Sequence, residues 1–205
     1  MAPIGFAEFI ASAAMRREAW RRRFAMDAMF AEARPNLGHQ AVATLVHQGR
    51  ASCVITQNID NLHQDSGLAA DRLVELHGNT SYAKCLNCNL RVELEPIRGY
   101  FFAHGQVPDC PDCGGILKTA TISFGQAMPE RELARAQAAA TSCDLFLVLG
   151  SSLVVYPAAD LPVLAVRHGA ELVIVNREPT PLDGLAVLVL HAAIGDTLDG
   201  AVRAL

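Results

Sequence analysis

From Phe6 to Phe30 apolar residues recur at three- and four-residue intervals, which lays them along one face of a helix, and a helix is predicted over that span. "RPNLGH" then supplies Pro35 and Asn36, suited to end that helix and start a second over about 37–48, which stops at Gly49. "ASCVIT" reads as a strand, and the polar run "QNIDNLHQDSG" interrupts the apolar pattern behind it. "LVELHGN" reads as a second short strand with a turn. After residue 117 the pattern predicts "TATISFG" as a strand, "PERELARAQAAATS" as a helix and "DLFLVLG" as a strand. "PAADLPVLAVRHG" follows as a helix, "AELVIVN" and "LAVLVLH" as strands, and "DTLDGAVRAL" as a closing helix.

Strands separated by helices, with continuous Val, Leu and Ile runs in place of strict alternation, indicate an α/β fold whose parallel sheet is covered by helices on both faces. Residues 80–117 break this rhythm with paired cysteines, Pro and Gly. They read as a small module inserted into a larger domain made of residues 1–79 and 118–205. In open parallel sheets ligands bind beyond the carboxyl ends of the strands. That rule sets the polar run after "VIT", the "GSS" after "DLFLVL" and the "NREPT" after "ELVIV" on one rim.

The chain has 205 residues and a formal net charge of −4, so no global basic field implies a nucleic-acid partner. Its longest apolar runs are strand-length, far short of a bilayer span, and no membrane partner is expected. The N-terminal positive charges follow the apolar residues, the reverse of a secretory signal, and the expected location is cytoplasmic. The local run Arg16, Arg17, Arg21, Arg22 and Arg23 is read as a solvated helix face in preference to a binding patch.

Six cysteines in such a chain argue against a disulfide scaffold. Four of them form Cys85-x2-Cys88 and Cys110-x2-Cys113 with 21 residues between the pairs. A two-residue spacer lets one tight turn aim both thiolates at one ion, and four thiolates close a tetrahedral shell around a structural zinc. An iron–sulfur cluster is the rival assignment. Cys53 and Cys143 adjoin strand-like segments and are read as small core residues.

Three further positions carry chemistry or merely shape turns. His77, after a strand and before Gly78, is either a structural imidazole or a proton-transfer group. Gly150, Ser151 and Ser152 are ordinary turn formers or contacts for phosphate and ribose oxygens. Asn176, at another strand end, holds a ribose hydroxyl or makes a turn.

Taken together, "TQNIDNLHQDSG", "ELHGN", the two cysteine pairs, "FGQAMP", "GSSLVVYPAADLP" and "VIVNREPTPLD" resemble the sirtuins, the NAD-dependent protein deacylases, in order and in spacing over about residues 35–200. The resemblance implies a Rossmann-like sheet with an inserted zinc-ribbon module, one structural zinc ion, NAD as cofactor and acylated lysine in proteins or peptides as substrate. It implies that Gln57 and Asn58 hold the nicotinamide ribose, Asn58 also serving catalysis by ordering a water. Ile59 lines the nicotinamide pocket and Asp60 binds the carboxamide. His77 is the implied general base for a ribose hydroxyl. Ile122, Phe124 and Gly125 are the implied acyl-lysine contacts, while Leu153, Val154 and Val155 pair with an extended substrate peptide by strand addition. Gly150, Ser151, Ser152, Asn176 and Arg177 face the adenosine half of NAD.

Two departures from the pattern stand out. Many sirtuins carry Glu where this chain has Gln126. Sirtuins also open with a strand and a glycine-rich loop that these residues lack, so the resemblance reads the chain as N-terminally truncated, without the first strand and its pyrophosphate site. The alternative function is therefore a catalytically silent, zinc-containing acyl-peptide-binding protein, and mono-ADP-ribosyl transfer is a further possibility within the enzyme class. The helix before "RPN" offers arginines but no Tyr for an acidic acyl group, which favours short neutral acyl groups, acetyl first.

Overall fold

Ser12 splits the first helical run. Its backbone is extended (φ −131°, ψ 117°) and its hydroxyl accepts the Met15 N–H, so the segment forms α1 (Phe6–Ala11) and α2 (Ala13–Ala25), with α3 (Asp27–Glu32) after Met26. A serine in apolar periodicity is an N-cap as readily as a helical residue, and here the cap wins. Asn36 does cap α4 (Leu37–His47): its side chain accepts the His39 N–H at 3.2 Å, and Gly49 at φ +72° ends the turn.

The computed structural model describes residues 2–204. They form two compact units. The first comprises the chain up to Ala33, Asn58–Asn61 and His77–Met128; the second comprises Arg34–Gln57, Leu62–Leu76 and the chain from Pro129.

In the second unit β1 (Val54–Thr56) and β2 (Leu73–Glu75) pair in parallel, with α5 (Leu62–Asp65) in the connection. Helix α7 (Glu130–Ser142) leads to β6 (Leu145–Leu149), α8 (Asp160–Arg167), β7 (Glu171–Val175), β8 (Leu188–Leu190) and α9 (Ile194–Arg203). Strands β6, β7 and β8 form a parallel ladder in that order. Helix α8 packs on β6 and β7, α7 on α8 and β2, and α4 on α9. Val148, Leu172 and Ile174 are buried with Leu153, as strands covered by helices require.

The first unit is built on antiparallel pairing. Strand β3 (Gly78–Cys85) lies between β4 (Arg91–Glu93) and β5 (Leu117–Thr121). The segment "TATISFG" thus joins the cysteine-bearing strands and not the parallel set. Helix α6 (Leu94–His104), whose pattern Pro96 and Gly99 mask, ends at Gly105 in the left-handed region. Trp20 and Phe24 of α2 pack with Ile97, Phe101, Leu117, Cys85 and Cys110, and the Trp20 indole N–H reaches the Leu117 carbonyl at 3.2 Å.

The arginines of α2 are largely spent internally. Arg21 and Arg22 share Glu18, whose carboxyl their hydrogen bonds hold down to about 2, and Arg16 donates to the carbonyls of Phe9 and Ile10. Arg23 pairs with Asp27 and donates to the Thr80 carbonyl. No helix among the described residues is long and apolar enough to cross a membrane.

Candidate functional site

Residues 58–61 form a turn stapled to the start of β3. Thr80 N–H donates to the Ile59 carbonyl at 3.0 Å, and the Asn79 amide donates to Asn61 Oδ1 at 3.0 Å, Asn61 itself lying at φ +70°. Asn79 is 2% exposed and its oxygen accepts the Ser81 N–H, so both ends of the buried amide are used. The staple fixes Asn58, Ile59 and Asp60 against the strand that begins beside His77.

The other wall of that strand fixes His77. Its carbonyl accepts the Ile122 N–H at 2.9 Å, and Gly78 pairs with Thr121 across the β3–β5 ladder. Gly78 sits at φ +72°, and a β-carbon there would stand 1.9 Å from the Ala120 carbonyl oxygen. Only glycine allows this approach. Asn58, Ile59, Asp60, His77 and Ile122, spread over 65 residues of sequence, therefore share one local framework in the first unit.

Phe124 is exposed, and its carbonyl accepts the Phe6 N–H at 2.9 Å. Gly125 adopts φ +79° in a turn closed by Gln126, whose Oε1 accepts the Ser123 N–H. The amide oxygen of Gln126 thus fills an acceptor role that a carboxylate could also fill. A cavity of about 250 Å³ in the first unit is lined by Ile4, Arg23, Phe30, Ile59, Thr80 and Thr121.

In the second unit three strand ends meet, as the parallel-sheet rule predicts. Gln57 Nε2, after β1, lies 3.4 Å from Ser151 Oγ, after β6, and Gly150 N–H donates to the Val175 carbonyl of β7 at 2.9 Å. Gly150 is at φ +62°, and a β-carbon on it would meet Ile194 Cδ1 at 2.6 Å. Ser151 Oγ also accepts the Leu153 N–H at 3.3 Å, stabilising Leu153 at φ +55°. Ser152 and Arg177 are exposed, Asn176 half-buried with its amide donating to the Glu178 carbonyl at 2.7 Å. Val154 and Val155 are exposed, whereas the Leu153 side chain is buried in the core and leaves only its backbone for a peptide.

The four cysteine sulfurs of the first unit lie within 4.8 Å of one another, with Cys85–Cys113 at 3.5 Å and Cys88–Cys110 at 3.7 Å. Zinc with bonds of about 2.3 Å to sulfur needs tetrahedral edges of about 3.8 Å. The set fits a single zinc ion and leaves no room for a multi-iron cluster. N–H groups of Cys88 and Asn87 lower the Cys85 thiol to about 6. Cys88 is pushed up to about 12: its largest influence, the Leu90 N–H, lowers it, but Cys113, burial, Cys85 and Cys110 outweigh that. Thiolates so crowded require a cation to ionise together. Gly115 lacks the β-carbon that would crowd Asn87 and Cys85 Sγ at 2.8–2.9 Å. Cys53 and Cys143 are free and only half-buried, so neither is a core residue of the expected kind.

Sequence reasoning did not single out the Asn61–Asn79 amide pair, nor Ile194 facing Gly150. Asn79 stood in the quoted "ELHGN", and its signal was the polarity of a residue inside a strand-like run. Ile194 carried none, since its role arises only when α9 packs.

The family model described as Sir2 family matches residues 3–157. An NAD-dependent protein deacetylase of Rhodopseudomonas palustris is 55% identical over 96% of this chain and 78% of its own length. NAD-dependent protein deacetylase 1 of Bradyrhizobium diazoefficiens is 54% identical over 96% and 77%. Among solved structures, Sir2 bound to acetylated peptide matches with a TM-score of 0.88 and 34% identity over 98% of this chain and 82% of that one. A Sir2–p53 peptide–NAD+ structure matches at 0.86 and 35% over 98% and 81%.

Proposed function

The chain belongs to the Sir2 family, and from that premise we propose that it is an NAD-dependent protein-lysine deacetylase. The observation that carries the assignment to residues is the staple that holds the Asn58–Asp60 turn and His77 to opposite ends of one short framework. The donor types of each unit suit parts of the cofactor: in the first, the Asn58 amide and the Asp60 carboxylate suit a carboxamide and a ribose; in the second, the Gln57 and Asn176 amides and the Ser151 and Ser152 hydroxyls suit ribose hydroxyls.

Bound NAD supplies the ADP-ribosyl acceptor for the acyl group, with nicotinamide as leaving group. Asp60 accepts from the carboxamide N–H2 and Ile59 covers the ring, which orients the leaving group. Gln57 and Asn58 hold ribose hydroxyls, and Asn58 orders a water. His77 takes a ribose hydroxyl proton on an imidazole nitrogen, and the Ile122 N–H holds its backbone in place. Ile122, Phe124 and Gly125 line the acyl-lysine path, and residues 153–155 offer backbone groups to an extended peptide. The zinc ion, closed by four sulfurs, holds β3 and β5 in place and takes no part in proton transfer.

Short neutral acyl groups suit the site because Arg21, Arg22 and Arg23 are already paired with Glu18 or Asp27 and lack spare charge for an acidic acyl chain. Six free thiols, four of them a metal set, support a reducing, cytoplasmic setting. Mass spectrometry of the nucleotide products tests the assignment: transfer of acetyl from a peptide lysine to ADP-ribose is expected, and acetate release without NAD consumption would refute it.

A further inference from the structure

We infer that His191 is a positioning residue: a pH-sensitive latch that holds the 176–183 loop, and with it Asn176 and Arg177, in the form that receives the adenosine half of NAD. The inference rests on the proposed role of those two residues.

His191 follows β8, whose Leu190 carbonyl accepts the Asn176 N–H at 3.1 Å, so the imidazole stands beside the loop that leaves β7. Its Nδ1 lies 3.2 Å from the Asn176 carbonyl oxygen, and its Nε2 lies 3.7 Å from Asp183 Oδ2. These contacts grip the first and last residues of the loop. Both partners are oxygens that only accept, because a carbonyl and a carboxylate have no proton to give. Neutral imidazole carries one N–H and can satisfy one of them. The imidazolium carries two and satisfies both.

The far end of the grip is preset. Thr180 Oγ1 donates to Asp183 Oδ1 at 2.5 Å and accepts the Leu182 N–H at 3.3 Å, so the carboxylate is oriented before His191 engages it. The Thr180 hydroxyl, chiefly, lowers the Asp183 carboxyl below its ordinary range, which keeps it charged wherever imidazole titrates. Asp183 is the one charged group at ion-pair distance from His191 among the described residues. Arg177 and Glu178 follow Asn176 in the loop, Asp196 lies in the first turn of α9, and the one charged residue of β7 and β8 is Glu171, at the end of β7 away from Asn176. The imidazole is 45% exposed, so the pair is screened by solvent.

The protein should therefore hold the loop more firmly near pH 6 than near pH 8. Two readouts test this on the zinc-loaded chain with wild type, His191→Gln and Asp183→Asn: hydrogen-exchange protection of the Leu182, Leu185 and Ala186 amides, and the Kd of ADP-ribose, each from pH 5.5 to 8.5. We expect wild-type protection to fall and Kd to weaken about threefold to fivefold as pH rises, the size an exposed ion pair provides, with both variants flat. Equal pH dependence in wild type and His191→Gln overturns the latch. A pH-dependent protection with an unchanging Kd overturns its link to the cofactor. If ADP-ribose does not bind at any pH, or binds Asn176→Ala as well as wild type, the cofactor role of Asn176 fails and the link fails with it, whereas the protection data still judge the latch.

Discussion

A β-carbon on Gly78 would stand 1.9 Å from the carbonyl oxygen of Ala120, on the residue next to His77. The contact is with backbone, so no rotamer change relieves it, and the left-handed φ adds about 1 kcal/mol of strain for any other residue. Gly78→Ala should cost about 3 kcal/mol or more of stability, read from the urea midpoint. A midpoint unchanged from wild type would mean that β3 and β5 are not held as described.

Zinc removal should be visible from Trp20, the chain's single tryptophan, which packs with Cys85 and Cys110 in one cluster. One zinc per chain is expected by elemental analysis. Chelation, or Cys110→Ser, should shift tryptophan emission to the red and abolish activity, because metal binding and folding of such a unit are one equilibrium. Cys53→Ala should do neither. Unaltered emission after complete zinc loss would contradict a structural metal.

Lys118 gives a pH signature of its own. It is 3% exposed, donates to the carbonyls of Thr119 and Thr121, and burial lowers its ammonium pKa to about 8. Between pH 8 and the ordinary lysine range the unfolded chain binds the extra proton, so folding stability rises with pH through that window, and the burial penalty is fully present below it. Relative to Lys118→Met, wild type should gain about 2 kcal/mol from pH 8 to 10.5. Parallel stability curves for the two proteins would show that the amine is not buried as a charge.

Gly150 and Ile194 form a second close pair, but here the obstacle is the tip of a side chain. Gly150→Ala should weaken ADP-ribose binding and lower stability by about 1–2 kcal/mol. Adding Ile194→Ala should restore part of both, leaving the φ cost of about 1 kcal/mol. Strict additivity in the double mutant would show that the two residues do not meet.

The strands β6, β7 and β8 and their parallel pairing were legible because buried Val, Leu and Ile runs are explicit in sequence, as were the two cysteine pairs, whose spacing is a metal-binding signature; "TATISFG" was not, since nothing in its pattern marks it as antiparallel. The strand-end rule correctly drew Gln57, Ser151 and Asn176 to one rim of the second unit. It did not show that Asn58–Asn61 belong with β3 in the first unit, since that depends on Asn79 and Thr80, whose hydrogen bonds carry no periodicity. Helix 6–30 became three because Ser12 took a capping role and the chain breaks again at Met26. Helix α6 stayed hidden because Pro96 and Gly99 mask its pattern, although Pro96 lies in the first turn, where the missing N–H costs nothing.

The central claim is that His77 moves the proton in an NAD-dependent deacetylation. It is tested most directly by measuring nicotinamide and deacetylated lysine together from an acetyl-lysine peptide, for wild type and His77→Ala carrying equal zinc. The account predicts one-to-one products and a fall of about 100-fold or more in the variant, the range general-base removal gives. Lysine freed without nicotinamide, or a variant within twofold of wild type, would contradict it.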